Sequence, residues 1–322
     1  MDFSLPYMTS GYVDYRQIME EECLEISYIL MVSAGVYMGV ALCGLVGNGT
    51  VLWFLCFHMK QNPFTVYILN LAIADFFLLV LVFLLSLAAF SLVSICSCAY
   101  KYLALYNDFE YIVEFLCHFF DLSSMSLLTA ISTERCISVL FPIWYRCHRP
   151  KHLSGVVSAM LWVFAGFFVS SMYLGLNLAA SYETIIAGVA IAIAITLSSI
   201  VFISNLTLFL KLRCGSHRRQ PGRLYVAILL NVIFFFTLGL PFSIEVFLHL
   251  PISRELLPDG SVFLLALLNS SINPVVYFLV GSCRQRRFQR SVKIAFRRVF
   301  EEKLLNEENN VPGGTVVVEN AL

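Results

Sequence analysis

The sequence predicts an all-α membrane protein: a seven-transmembrane helix bundle followed by a short amphipathic eighth helix. Three observations carry this. The 322 residues are 59% hydrophobic and only 13% charged, against about 45–50% apolar and about 25% charged in soluble domains. Seven apolar runs each reach the length of about 20 residues that a helix needs to cross a bilayer. Lys and Arg gather on alternate connections between those runs.

The runs fall at 28–57, 65–92, 110–140, 154–176, 184–210, 225–250 and 261–280. They take up most of the chain and leave no room for a separate catalytic domain. Ahead of them, 1–26 is an acidic segment with no apolar core of its own, so span one is expected to act as signal anchor without a cleavable signal peptide. The bundle occupies 27–283. In 284–300, Phe288, Val292, Ala295, Phe296 and Val299 recur at helical spacing with Arg and Lys between them. That is the pattern of a helix lying in the membrane interface. The remainder, 301–322, is polar and is expected to be a disordered tail.

Orientation follows from the basic residues. Lys60, Arg146, Arg149, Lys151, Lys211, Arg213, Arg218, Arg219 and Arg223 share one side with the basic tail; the other side holds Arg16, Lys101 and Arg254. The positive-inside rule then puts the N-terminus outside the cell and the C-terminus in the cytoplasm, as expected of a plasma-membrane protein. Formal net charge is zero, so nothing points to nucleic acid. Cys23, Cys96 and Cys98 would face the oxidising side, where Cys23 could bridge to either of the other two. Cys136, Cys147, Cys214 and Cys283 are expected to be free thiols. Asn48, Asn205 and Asn269 stand in N-x-Ser/Thr patterns but inside spans, so they read as false glycosylation matches.

An ionisable group inside a span is costly, and each is a functional hypothesis by default. Asp75 sits in the middle of span two with no Lys or Arg at its depth. It must be protonated, hydrogen-bonded or paired with a small cation. Ser124, Asn269 and Asn273 offer oxygens that suit a hard monovalent ion such as Na+. Glu134 and Arg135 close the inner end of span three. Further out, Glu114, Cys117, His118 and Asp121 share one face of that span at i, i+3, i+4 and i+7. Glu245, near the outer end of span six, adds a further carboxylate. The outer loops carry little positive charge, so a cationic ligand, a basic peptide or an amine, is expected there. No His/Cys/Asp set has the spacing of a metal site or a nucleophilic triad, which argues against an enzyme.

Gly47-Asn48, Leu71-Ala72-Ile73-Ala74-Asp75, Trp162 and Asn273-Pro274-Val275-Val276-Tyr277, in that order, resemble the landmarks of rhodopsin-like G protein-coupled receptors. The stretch 128–147 with Glu134-Arg135-Cys136, the run Asn269-Ser270-Ser271-Ile272-Asn273-Pro274 and Gly281-Ser282-Cys283-Arg284-Gln285-Arg286 resemble the Mas-related family more narrowly. The resemblance implies a receptor that binds an extracellular ligand and activates a heterotrimeric G protein. Arg135 would hold the inner helix ends closed, with the adjacent Glu134 as its counter-charge. On activation span six, kinked at Pro241, would swing outward. Asn273, Pro274 and Tyr277 would complete the switch, Tyr277 moving inward beneath Pro274.

Departures from the common pattern matter. Glu134-Arg135-Cys136 replaces Asp-Arg-Tyr, as in the Mas-related family. Gly239 stands where many receptors carry a ligand-sensing Trp. Span five has no proline. Glu110 occupies the place of the Cys that staples span three to the next outer loop, and 177–183 contains no partner, so that bridge cannot form. Met172 stands where some Mas-related members have an acidic residue. Two other readings compete: a ligandless partner of other receptors, and an ion channel or transporter. The second predicts a polar stripe or repeated broken helices, and neither is seen. An opsin is disfavoured because Leu267 occupies the place of its lysine.

Overall fold

A backbone in hydrocarbon must satisfy its own N–H and C=O groups, which leaves apolar runs of this length one solution, the helix. The computed structural model describes residues 12–59, 62–94, 99–178, 183–214, 223–241 and 261–282. They form α1 (Tyr12–Phe57), α2 (Pro63–Ser94), α3 (Ala99–Leu140), α4 (Leu153–Leu178), α5 (Glu183–Cys214), α6 (Arg223–Phe234) and α7 (Ser261–Ser282). A six-residue helix, Pro142–Cys147, links α3 to α4. Each of these seven helices falls on one predicted span, α6 on the described part of 225–250.

Among the described residues, five helices contain apolar stretches long enough to cross a membrane: Met31–Phe57, Pro63–Leu92, Ala104–Leu140, Leu153–Gly175 and Ile185–Lys211. Those of α6 and α7, Val226–Gly239 and Leu264–Val280, are shorter. For α6 the described residues stop at Pro241, so Glu245 and the last part of the predicted span lie outside them. The same holds for Cys96, Cys98, the interfacial helix and the tail. α1 and α3 begin well before the expected starts at 28 and 110. Hydropathy ends a span at its first charges, whereas a helix continues while its residues favour it. Met19, Glu20, Glu21, Glu22, Leu24 and Glu25 all do.

Local chemistry sets the start of α2. Asn62 Oδ1 accepts from the backbone N–H groups of Phe64 and Thr65, both at 2.9 Å. Pro63 takes the first helical position, where no donor is needed. In α6 the α-helix gives way to a π-turn at Phe235–Gly239, directly before Pro241. The expected kink is thus accompanied by a widened turn, a common companion of helix bends.

The helices close into a ring with α3 at its centre. α3 packs on α2, α4 and α5; α1 lies against α2 and α7; and α6 joins α5 to α7. Lipid is as apolar as leucine, so the hydrophobic effect does not press these helices together, and close packing of small residues must. Gly44 and Gly47 show this on α1. A Cβ at Gly44 would overlap Ser271 Oγ, and one at Gly47 would lie 3.1 Å from Pro274 Cβ. We expect Gly44→Val to wedge α1 from α7 and lower the melting temperature of the solubilised protein by several degrees. Gly35→Val, with nothing within 4 Å of the added Cβ, should leave the melt unchanged.

The largest buried cluster includes Val51, Phe54, Tyr67, Leu127, Ile131, Val276 and Tyr277. Val46, Phe167 and Ile203 lie on exposed faces instead, as expected of helix surfaces that contact lipid. Asn48 and Asn205 are buried, which fits their reading as structural rather than glycosylated.

Candidate functional site

Asp75 is fully buried in α2. Ser124 Oγ of α3 donates to its Oδ1 at 3.0 Å, and Asn273 Nδ2 of α7 donates to its Oδ2 at 2.7 Å. Three helices therefore meet on one acidic group. Ser270, which the sequence did not single out, is buried one residue on from Asn269. Asn269 lies beside α6. Its amide packs against Gly239, where an added Cβ would come within 2.9 Å of Nδ2. The glycine that replaces the usual tryptophan makes room for this asparagine beside the π-turn.

Asn48 extends the polar core to α1. Its Nδ2 donates to the carbonyls of Gly44 at 3.1 Å and Ser270 at 2.9 Å. Trp162 Nε1 donates to Asn70 Oδ1 at 3.0 Å, tying α4 to α2. Tyr277 is buried, and its hydroxyl accepts from Asn231 Nδ2 of α6 at 3.1 Å. Asn231 was not anticipated, although a lone Asn in an apolar span is the signal that marks it. Tyr277→Phe is expected to leave the Asn231 amide without this acceptor, cost about 1 kcal/mol of bundle stability and loosen α6 from α7. Asn231→Leu should show little further loss on the Tyr277→Phe background in a double-mutant melt.

At the far end of α3 the structure corrects one expectation. Glu134 and Arg135 are consecutive, and neighbours on a helix point about 100° apart, so they do not face each other. The ion pair of Glu134 is with Arg149, whose Nε donates to Oε1 at 2.5 Å, with side-chain exposures of only 10% and 5%. The same guanidinium also donates to Ser154 Oγ and to the Pro150 carbonyl. Arg135 instead lies over the ring of Phe64, its guanidinium carbon 3.5 Å from the centroid. Phe64 in turn stacks on Tyr145 of the linking helix at 6.1 Å. Burial first, then the charge of Glu134, holds the Tyr145 phenol above its usual pKa, so it stays neutral at physiological pH. Two layers thus join α2, α3 and the loop to α4: a carboxylate–guanidinium pair and a cation–aromatic stack.

The expected ligand face of α3 divides. Cys117 is buried in a cluster with Leu78, Leu79, Val82, Val113 and Leu267, toward α2 and α7. His118 turns to α4. Its Nδ1 lies 2.7 Å from the Glu114 carbonyl and 2.9 Å from the Tyr173 hydroxyl, and the two rings meet edge to face at 5.7 Å. Which partner Nδ1 serves as donor or acceptor depends on the tautomer. Met172 is buried beside Tyr173. Glu114 and Asp121 are half-buried on α3. Among the described residues, no group of three or more His, Cys, Asp and Glu side chains could hold a metal ion.

A seven-helix ring, a buried Asp–Ser–Asn core and a charged cluster at one end define a seven-transmembrane receptor. Residues 47–277 match the family model described as "7 transmembrane receptor (rhodopsin family)". The chain is 39% identical over 286 residues to Mas-related G-protein coupled receptor member D of Rattus norvegicus, covering 83% of this chain and 85% of that one. It is 34% identical over 295 residues to proto-oncogene Mas of the same organism, with 89% of each covered. Member B4, also of Rattus norvegicus, is 38% identical over 274 residues, 82% of this chain and 80% of that one. The chain belongs to the rhodopsin family of seven-transmembrane receptors and, within it, to the Mas-related group. It is a multi-pass membrane receptor and not an enzyme.

Proposed function

We propose that this receptor is a ligand-gated exchange factor for a heterotrimeric G protein, with its N-terminus outside the cell and the Arg135 end of α3 in the cytoplasm. The observation that carries this is the buried cluster around Arg135 and Glu134, which ties α2, α3 and the following loop at one end of the bundle. A charged pair buried there stabilises specificity of state more than stability itself, which suits an equilibrium between a closed and an open form. Release of Arg135 from Phe64, with Tyr277 leaving Asn231, would open a cleft beneath α6.

The ligand is proposed to be cationic, a basic peptide or an amine, held by Glu114 and Asp121. Cys117 and His118 are engaged with neighbouring helices, so these carboxylates carry the proposal, with Glu245 as a third outside the described residues. Asp75, Ser124 and Asn273 offer oxygens of the kind Na+ prefers. That ion would supply positive charge to the core and favour the closed form.

The test is a panel of basic peptides and amines applied to purified receptor reconstituted with G protein, reading nucleotide exchange. An active compound should lose about tenfold or more in potency with Glu114→Asn and Asp121→Ala; unchanged potency removes the cationic site. Ion flux through G protein-free vesicles would instead favour the channel reading. A partner without a ligand of its own is the second reading, favoured by Gly239, where no aromatic side chain couples a ligand to α6. It predicts no response alone and an altered response of a co-reconstituted receptor.

A further inference from the structure

The apolar stretch of α3 ends at Leu140 and that of α4 begins at Leu153. The chain therefore leaves and re-enters the hydrocarbon at one boundary, and residues 141–152 run along the headgroup level between the two. The short helix Pro142–Cys147 lies in this link and has no buried residue. Tyr145 holds its inner side. The Tyr145 ring stacks on Phe64 at 6.1 Å, and the guanidinium carbon of Arg149 lies 5.4 Å from its centroid.

That contact fixes where the other side chains of the link point. Successive residues on a helix turn by about 100°, so Ile143 and Cys147 lie about 160° from Tyr145, with Trp144 and Arg146 on the two flanks. The exposures agree: Phe141 is 60% exposed, Ile143 78% and Trp144 45%. Tryptophan favours the membrane–water interface, and isoleucine the hydrocarbon just beneath it. The chain then runs directly into α4, where Val156 and Met160 are 54% and 66% exposed. The apolar side of the link is thus continued in sequence by a helix surface that contacts lipid.

Charge narrows the occupant. Residues 141–152 carry Arg146, Arg149 and Lys151 and no Asp or Glu. Arg149 is committed to Glu134. Arg146 and Lys151 are exposed and, among the described residues, take part in no ion pair. His148 and His152, also exposed, add ring N–H donors. Large apolar side chains beside uncommitted cations at headgroup depth have the chemistry that fits an anionic bilayer surface. Arg146 ends the helix and Lys151 stands in the turn beyond it, so each meets a headgroup of its own, and a singly charged lipid suffices.

We propose that the link 141–152 is a membrane anchor selective for phosphatidylserine: Ile143 and Trp144 enter the bilayer interface, and Arg146 and Lys151 bind the anionic headgroups. The proposal rests on the membrane-spanning fold and not on G-protein coupling, so the two fail separately. The experiment places the full chain in phosphatidylcholine nanodiscs with a minor fraction of brominated lipid and reads Trp144 emission as the difference between the native chain and Trp144→Phe. Brominated phosphatidylserine should quench it about twofold more than brominated phosphatidylcholine at the same mole fraction. Arg146→Gln combined with Lys151→Gln should equalise the two lipids while both still quench. About 1 M salt, where the Debye length is about 3 Å, should do the same to the native chain. Gel filtration of each variant confirms an intact bundle. The proposal is overturned by Trp144 emission that neither lipid quenches, by equal quenching of the native chain, or by a preference that survives the double substitution or the salt. It is also overturned by emission that responds to added G protein but to neither lipid, which would assign the patch to a protein partner.

Discussion

Replacing Arg149 by alanine is expected to raise ligand-independent nucleotide exchange about tenfold. Arg149 is the ion-pair partner of Glu134, and both side chains are almost fully covered. Removing one member of such a pair leaves the other charge buried and costs about 3–5 kcal/mol. The open form, with its cleft exposed to water, rehydrates Glu134 and escapes part of that cost. A differential of about 1.4 kcal/mol between the two forms is already a tenfold population shift. The melting temperature should fall at the same time. Pairing Arg149→Met with Glu134→Gln removes the orphaned charge, so stability should recover and basal exchange should fall back toward the native level. Exchange that stayed high would show that the orphaned charge is not what opens the receptor.

Asp75→Asn is expected to abolish a sensitivity of basal exchange to sodium. The substitution keeps the shape of the side chain and removes its charge. In the native protein Ser124 and Asn273 donate to the two carboxylate oxygens. An amide satisfies one such donor and offers its own hydrogens against the other, so the variant is expected to be less stable by about 1–3 kcal/mol. Sodium should suppress basal exchange in the native receptor relative to potassium at equal ionic strength. The variant should respond equally to both salts. A variant that retained the sodium effect would place the cation elsewhere.

The spans and the acidic core were legible because both depend on depth alone. Length and hydropathy locate a helix in a bilayer, and one carboxylate at mid-span demands partners from the facing helices. That reasoning reached Ser124 and Asn273. It did not reach Ser270, one residue from the predicted Asn269, because rotation about a helix is set by packing rather than by depth. Nor did it reach Arg149, whose position relative to Glu134 depends on how the short helix Pro142–Cys147 folds back. The adjacency of Glu134 and Arg135 misled for a simple reason: sequence neighbours on a helix do not face each other. The stack of Arg135 on Phe64 and the Asn231–Tyr277 bond join separate spans, and neither leaves a spacing in the sequence. The division of Cys117 from His118 has the same origin. An i, i+3, i+4, i+7 set covers a wide enough arc to touch two different neighbours, and α3 has neighbours on all sides.

The most direct measurement of the account is nucleotide exchange on G protein by purified Arg149→Ala receptor in lipid nanodiscs, beside the same protein carrying Arg135→Ala as well. The first should drive exchange well above the native receptor without any ligand, and the second, which also removes the Arg135–Phe64 stack, should keep it at least as high. Exchange at the empty-nanodisc level for Arg149→Ala with every class of Gα subunit would contradict the central claim.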